Sequence, residues 1–162
     1  MTVVVGVDGS VRSRAALRLA AQEARWRQTS LVAVAAYELP LSTPVGGYPA
    51  AKLHTRAEER ATAESELRYA VADELGDEAK QTEVRVSPGL AGHVIIETAR
   101  ETKADLVVLA SHAGKSVLPG TISHYVLLKA PCPVMIVPAD GADTADTPAD
   151  AEAGRRQEEG PA

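Results

Sequence analysis

The sequence has few of the residues that stabilise small secreted or metal-binding folds. Only one of its 162 residues, Cys132, is a cysteine, which excludes an internal disulfide and a cysteine-based metal site. Phenylalanine is absent and aromatic residues make up 3% of the chain, whereas 45% of the residues are hydrophobic. The core must therefore be aliphatic. We expect Cys132 to be a buried, inert thiol and the single tryptophan, Trp26, to be a packing residue.

Long hydrophobic runs are also missing. No apolar run approaches the roughly eighteen residues that a transmembrane helix needs. The N-terminus, MTVVVGVDGS, has neither the basic segment nor the hydrophobic stretch of a signal peptide. These absences predict a cytoplasmic protein with no membrane partner.

Charge is distributed unevenly along the chain. The net charge is −5, and the seven acidic and two basic residues of 139–162 account for all of it. Residues 1–138 hold 15 acidic and 15 basic residues, so they lack the basic face of a nucleic-acid-binding protein and no nucleic-acid partner is expected. The last 24 residues contain no Val, Ile, Leu or aromatic residue. We therefore predict one domain over 1–138 followed by an acidic disordered tail over 139–162.

Short apolar runs alternate with segments of helical periodicity. The predicted strands are 2–7, 31–36, 82–86, 105–110 and 134–137, and the predicted helices are 13–28, 51–75, 90–102 and 120–129. This alternation predicts an α/β fold, a single doubly wound domain with a five-stranded parallel sheet. Ligands of such sheets bind beyond the carboxyl ends of the strands, where the strand order reverses. If the first and fourth strands are neighbours, the turn at Asp8 faces the loop from Ser111 to Gly120.

That loop contains glycines and hydroxyl groups that suit a phosphate. Gly114-Lys115-Ser116 is similar to the end of a P-loop, but Leu109 stands where the motif needs its first glycine, which argues against a P-loop NTPase. Gly120 and Thr121 open a helix whose free N–H groups attract anions. Thr121 and Ser123 add hydroxyls, which suit either a phosphate or a simple helix cap.

Three segments carry a family resemblance. VVVGVDGSVRSRAAL, DLVVLASHAG and GTISHYVLLKAPCPVMIVP resemble the universal stress protein family, over residues 2–138. The resemblance implies a five-stranded α/β domain of the adenine nucleotide alpha hydrolase-like type, with ATP (or AMP, with Mg²⁺) bound between an acidic residue after the first strand and a glycine-rich loop after the fourth. It also implies a homodimer through the last strand, Val134 to Val137, while any other protein partner stays unknown. The implied nucleotide-binding residues are Val7, Asp8, Gly9, Ser10, Ala36, Ala110, Ser111, His112, Gly114, Lys115, Ser116, Gly120, Thr121, Ile122 and Ser123.

The loop departs from the family pattern. Ala110 and Ala113 stand where the family has glycines, and the spacing to Gly120 is shorter than the family's. We expect their Cβ atoms to crowd a ligand, because the family's backbone approaches the nucleotide there. Asp8 also has a local interpretation, as an Asx-turn or cap before the first helix.

Three interpretations of function remain open. The first is a stress-response protein that binds a nucleotide and is non-catalytic, or at most a very slow ATPase. The second is a dimeric interaction module whose crevice binds no nucleotide. The third is a hydrolase or adenylyl-transferring enzyme that uses Asp8 with Mg²⁺, which the lack of a second acidic residue in the two facing loops disfavours.

Overall fold

The computed structural model describes residues 1–38, 56–111 and 121–138. Five strands alternate with four α-helices: β1 Thr2–Gly6, α1 Val11–Arg27, β2 Ser30–Tyr37, α2 Arg56–Leu75, β3 Glu83–Pro88, α3 Ala91–Glu101, β4 Leu106–Ala110, α4 Thr121–Lys129 and β5 Val134–Val137. The predicted α/β class and element order are confirmed. The predicted tail, most of the loop after β2 and the first turn of the predicted second helix lie outside the described residues. In the described part of the chain, no helix has both the length and the apolar character needed to cross a membrane.

All neighbouring strands are parallel, and the sheet has the order β3-β2-β1-β4-β5. The chain adds strands on one side of β1 and then returns to add β4 and β5 on the other side. The strand order therefore reverses between β1 and β4, and the expectation that these two strands are neighbours is confirmed. A crevice between the segments that follow them is the usual ligand position in such sheets.

The core is aliphatic and has two layers, one on each face of the sheet. Val3 and Val5 pack towards α1 and α2, whereas Val4 packs towards α3 and α4. All three valines are completely buried. Because both faces of the central strands are covered by helices, successive residues of β1 and β4 are mainly apolar. The edge strand β3, Glu83–Pro88, alternates polar and apolar residues instead.

Helix α1 lies close to the sheet because its inner face consists mainly of small residues. Ala16, Ala20 and Ala24 are buried there, together with Leu17. The helix ends at Gln28, which adopts a left-handed conformation with φ 52°. Trp26 is 69% exposed, so the prediction that it packs in the core was wrong. It lies two residues after Ala24, which turns it by about 200° from the buried face of the helix.

A short 3₁₀-helix, Gly76–Gln81, follows α2 and was not predicted. Gly76 has φ +55°, a conformation that terminates helices and suits glycine. The guanidinium group of Arg25 on α1 donates to both carboxylate oxygens of Glu78, at 2.7 and 2.6 Å. The turn has no buried residue, so hydrophobic periodicity gave no signal for it.

Candidate functional site

A cleft with a volume of about 60 Å³ lies beyond the carboxyl ends of β1 and β4. Its position is the one expected for a ligand site at the point of strand reversal. Most of its lining side chains are aliphatic, as is usual for small-molecule sites. Six residues proposed from the sequence line it: Val7, Asp8, Ala36, Ala110, Ile122 and Ser123.

The other proposed residues are placed differently. Gly9 lines a neighbouring hollow of about 80 Å³, which shares Val7, Asp8 and Ala36 with the cleft but opens towards α2. Ser10 begins α1 and Thr121 begins α4. The backbone N–H of Ser111 donates to the carbonyl oxygen of Val137 at 2.8 Å, joining the ends of β4 and β5. The remaining candidates lie outside the described residues: His112, Gly114, Lys115, Ser116 and Gly120.

Asp8 is held at the mouth of the cleft by a local turn. Its Oδ1 accepts the backbone N–H of Ser10 at 3.0 Å, and Gly9 between them has φ +82°. Ser10 in turn caps α1, because its Oγ accepts the N–H of Ser13 at 3.1 Å. The structure therefore contains the turn and the helix cap that the sequence suggested for this segment. The same turn places the exposed carboxylate of Asp8 at the cleft.

Ala110 lines the cleft, but its side chain lies on the other face of the sheet from most of the lining. Its side chain belongs to the apolar cluster on the α1–α2 face, whereas that of Leu109 belongs to the cluster on the α3–α4 face. The cleft lies mainly on the α3–α4 face, as its contacts with Ile95 and Ile122 show. The methyl group of Ala110 thus points away from most of the cleft, because successive side chains of a strand alternate between faces. Ala113 lies outside the described residues.

The first turn of α4 forms one wall of the cleft. Ile122 lines the cleft and remains 48% exposed, whereas Ser123 is almost completely buried. Ser123 Oγ donates to the carbonyl oxygen of Ala110 at 3.4 Å, so its hydroxyl ties α4 to β4. Thr121 is exposed at the first position of the helix. A helix start in this place favours negatively charged groups within the cleft.

Six lining residues were missed by the sequence interpretation: Gly6, Ser13, Val34, Ala91, Ile95 and Leu109. A Cβ atom built on Gly6 would lie 2.7 Å from Cδ2 of Leu109 and 2.9 Å from Cδ1 of Ile95. The side chains of Leu109 and Ile95 therefore pack directly against the backbone of Gly6 and form part of the cleft floor. A glycine within a run of valines was an available signal, since such a glycine often marks a close approach.

Within the described ranges, no group of three or more His, Cys, Asp or Glu side chains is arranged to hold a metal ion. The ionisable residue that lines the cleft is Asp8, at its mouth. The described residues therefore provide an apolar chamber with one carboxylate and one helix start at its edge.

Fold and cleft together define an α/β protein with a ligand crevice at a topological switch point. A family model described as the universal stress protein family matches residues 1–138, and the chain belongs to that family. A comparison with curated proteins found no match.

Solved structures agree with this assignment. A universal stress protein crystallised in complex with cAMP is 31% identical, with a TM-score of 0.60, and the match covers 85% of this chain and 96% of that one. Universal stress protein UspA from Lactobacillus plantarum is 24% identical, with a TM-score of 0.62, over 85% of this chain and 97% of its own. A universal stress protein from Archaeoglobus fulgidus is 27% identical, with a TM-score of 0.50, over 84% and 92%.

Proposed function

We propose that this protein binds an adenine nucleotide, ATP or AMP, in the cleft between the segments that follow β1 and β4. Mg²⁺ would be bound by the phosphates of the nucleotide. The observation that carries the proposal is that the Asp8 turn and the start of α4 border one apolar cleft. We further propose that the protein is non-catalytic, or hydrolyses ATP only very slowly.

The lining matches the three chemical parts of a nucleotide. Aliphatic side chains such as Val34 and Ile95 suit the flat apolar faces of a base. The carboxylate of Asp8 is an acceptor for ribose hydroxyl or amino hydrogens. The first turn of α4, from Thr121 to Ser123, offers backbone N–H groups and a positive dipole end to phosphates.

Membership of the universal stress protein family supports an adenine nucleotide as the ligand. The relative that is 31% identical was solved with cAMP, which contains adenine, ribose and a phosphate group. The same cleft residues would serve ATP or AMP. Calorimetry measures the affinity for each nucleotide and so determines which one this chain prefers.

The test is isothermal titration of purified protein with ATP, AMP and cAMP in the presence of MgCl₂, with GTP as the base-specificity control. We expect binding of at least one adenine nucleotide and weaker binding of GTP. At a ligand concentration about one hundred times Kd, the fold should be stabilised by about 2.7 kcal/mol. The absence of both binding heat and a melting shift at millimolar ATP would refute the proposal, and rapid phosphate release from ATP would refute the non-catalytic part.

A matched pair of variants locates the site. Ile122→Ser removes an exposed apolar side chain that lines the cleft, whereas Leu128→Ser removes one on the same helix that is 68% exposed. We expect Ile122→Ser to weaken nucleotide binding about fivefold, which corresponds to about 1 kcal/mol of lost apolar contact. Leu128→Ser should leave the affinity unchanged. Equal effects of the two substitutions would place the ligand elsewhere.

We also propose a homodimer that forms through β5. This strand pairs only with β4 among the described strands, and its four apolar residues, Val134 to Val137, are half-buried. An exposed apolar edge with unpaired backbone groups needs cover. The adjoining helix α4 adds Leu127 and Leu128, which are 43% and 68% exposed. If nucleotide binding fails its test, this edge favours the second function, a dimeric interaction module.

A further inference from the structure

Helix α4 is too short to set its own position. It has nine residues, of which only Ser123 and Val126 are buried. A helix of this length is marginal in isolation, so its orientation depends on contacts with the rest of the fold. One contact is the hydrogen bond from Ser123 to Ala110, and another is the burial of Val126 in the core. That cluster includes Val94, Ile95 and Ile96 of α3, and the two helices are in direct contact.

A further contact with α3, nearer its first turn, is made by the ring of Tyr125. A Cβ atom built on Gly92 would lie 2.8 Å from Cδ1 and 3.5 Å from Cε1 of Tyr125. The ring therefore lies directly on the backbone of α3, at a distance that no residue with a side chain permits. The imidazole ring of His93 stacks on the same tyrosine, with centroids 4.9 Å apart and an angle of 21° between the rings. Gly92 and His93 thus hold the ring from two directions.

This contact lies beside the cleft. Ala91, which precedes Gly92, lines the cleft, as do Ile122 and Ser123 on the other helix. The ring of Tyr125 thus joins the first turn of α3 to α4 immediately behind the two cleft walls. A shift of the ring moves the start of α4 relative to the rest of the site.

We propose that Gly92, His93 and Tyr125 form a clamp that positions the N-terminus of α4 for the phosphates of a bound nucleotide. The inference rests on the proposed nucleotide-binding function and adds positioning residues to it. The electrostatic effect of a helix end falls off within its first turn, so it depends strongly on where that turn lies. Most of the apolar lining of the cleft lies instead on β1, β2, β4 and α3, with Ile122 as the contribution of α4.

The clamp therefore predicts a selective effect on phosphate-bearing ligands. Gly92→Ala introduces the Cβ atom that displaces the ring, while alanine supports the α3 helix at least as well as glycine does. We expect Gly92→Ala to weaken AMP binding about five- to tenfold, in keeping with the contribution of a helix end, and to weaken adenosine binding less, because most of the apolar lining is not on α4. Tyr125→Leu should act in the same way.

Control variants separate the ring from its surroundings. Tyr125→Phe keeps the ring and removes a hydroxyl for which the described residues offer no hydrogen-bond partner, so it should bind AMP like the unmodified protein. His124→Ala, an exposed neighbour on α4, should also leave binding unchanged. The double variant Gly92→Ala/Tyr125→Leu should be no weaker than either single variant, because both remove one interaction. Equal losses of AMP and adenosine affinity would show a general structural role and overturn the proposal.

A measurement without nucleotide tests the clamp independently of the proposed nucleotide binding. Amide hydrogen exchange is followed by mass spectrometry in the unmodified protein and in Gly92→Ala, without nucleotide. We expect faster exchange confined to residues 121–129, because α4 loses the contact of Tyr125 with α3. Unchanged exchange in this helix, or faster exchange throughout the chain, would refute the clamp. If the unmodified protein binds neither AMP nor adenosine, the proposed function fails, and the exchange result alone decides whether Tyr125 holds α4.

Discussion

Ser123 Oγ donates to the carbonyl oxygen of Ala110 across 3.4 Å and connects the start of α4 to the end of β4. These two residues lie thirteen positions apart, on either side of the segment 112–120. The hydroxyl is almost completely buried, so it has little access to water as an alternative partner. This bond therefore brings both sides of the proposed phosphate region together within the described part of the fold.

We predict that Ser123→Ala lowers the free energy of unfolding by about 1 kcal/mol, since a buried carbonyl loses its hydroxyl partner. Urea denaturation monitored by circular dichroism measures this change. Thr121→Ala, at an exposed position on the same helix turn, serves as the control and should change stability by less than about 0.5 kcal/mol. Equal stabilities for the two variants would show that the hydrogen bond from Ser123 to Ala110 does not contribute to the free energy of unfolding.

We predict that Gly6→Ala destabilises the fold by about 1–3 kcal/mol, the usual effect of an extra methyl group in a filled core. The new Cβ atom would meet Leu109 at 2.7 Å and Ile95 at 2.9 Å. Combination with Leu109→Ala makes room for the methyl group, so the double variant should lose less stability than the sum of the two single variants. Additive losses in a denaturation cycle would show that Leu109 does not form the contact.

The proposed dimer predicts a solution mass of twice the 17.0 kDa of the chain at micromolar concentration. Ile136→Lys places a charge in β5 at a half-buried position outside both core clusters, and it should yield a folded monomer. Gln81→Lys, an exposed position before the opposite edge strand, should remain dimeric. Light scattering coupled to size exclusion gives the masses, and a monomeric unmodified protein would eliminate this interface.

We predict slow alkylation of Cys132 at neutral pH. Cys132 is half-buried rather than buried as expected. This partial burial raises the pKa of its thiol, and the negative charge of Asp105 raises it further, so the reactive thiolate is scarce near pH 7. Iodoacetamide should modify the native protein more slowly than the guanidinium-denatured protein. The difference between the two alkylation rates should narrow as the pH approaches the raised pKa of the native thiol. Mass spectrometry follows the modified fraction. Native and denatured rates that agree at pH 7 would disprove the shielding of this thiol.

Part of the candidate site was predictable because its signals are local. Asp8, Gly9 and Ser10 read as a turn before a helix, and the structure contains the turn and the cap at Ser10. Ala36 and Ile122, which the family resemblance implied, also line the cleft. The prediction for Trp26 failed because a large apolar residue was expected to pack although it lies off the face formed by Ala16, Ala20 and Ala24.

The sequence by itself determined the class of fold and the order of its elements. Valine-rich runs such as Val3 to Val5 can be continuous only where helices cover both faces of the sheet. Helical periodicity between these runs then implies parallel strands. These signals come from residues close together in the chain, so no tertiary information is needed to detect them.

Only the tertiary structure decided which side chains meet at the cleft. The pairing of β1 with β4 brings Leu109 over Gly6, and the strand register turns Ala110 away from most of the cleft. The packing of α4 on α3 likewise places Tyr125 on Gly92, more than thirty positions earlier in the chain. Such contacts depend on strand order, register and helix packing, which are set by the burial of whole faces and leave no local periodic signal in the sequence.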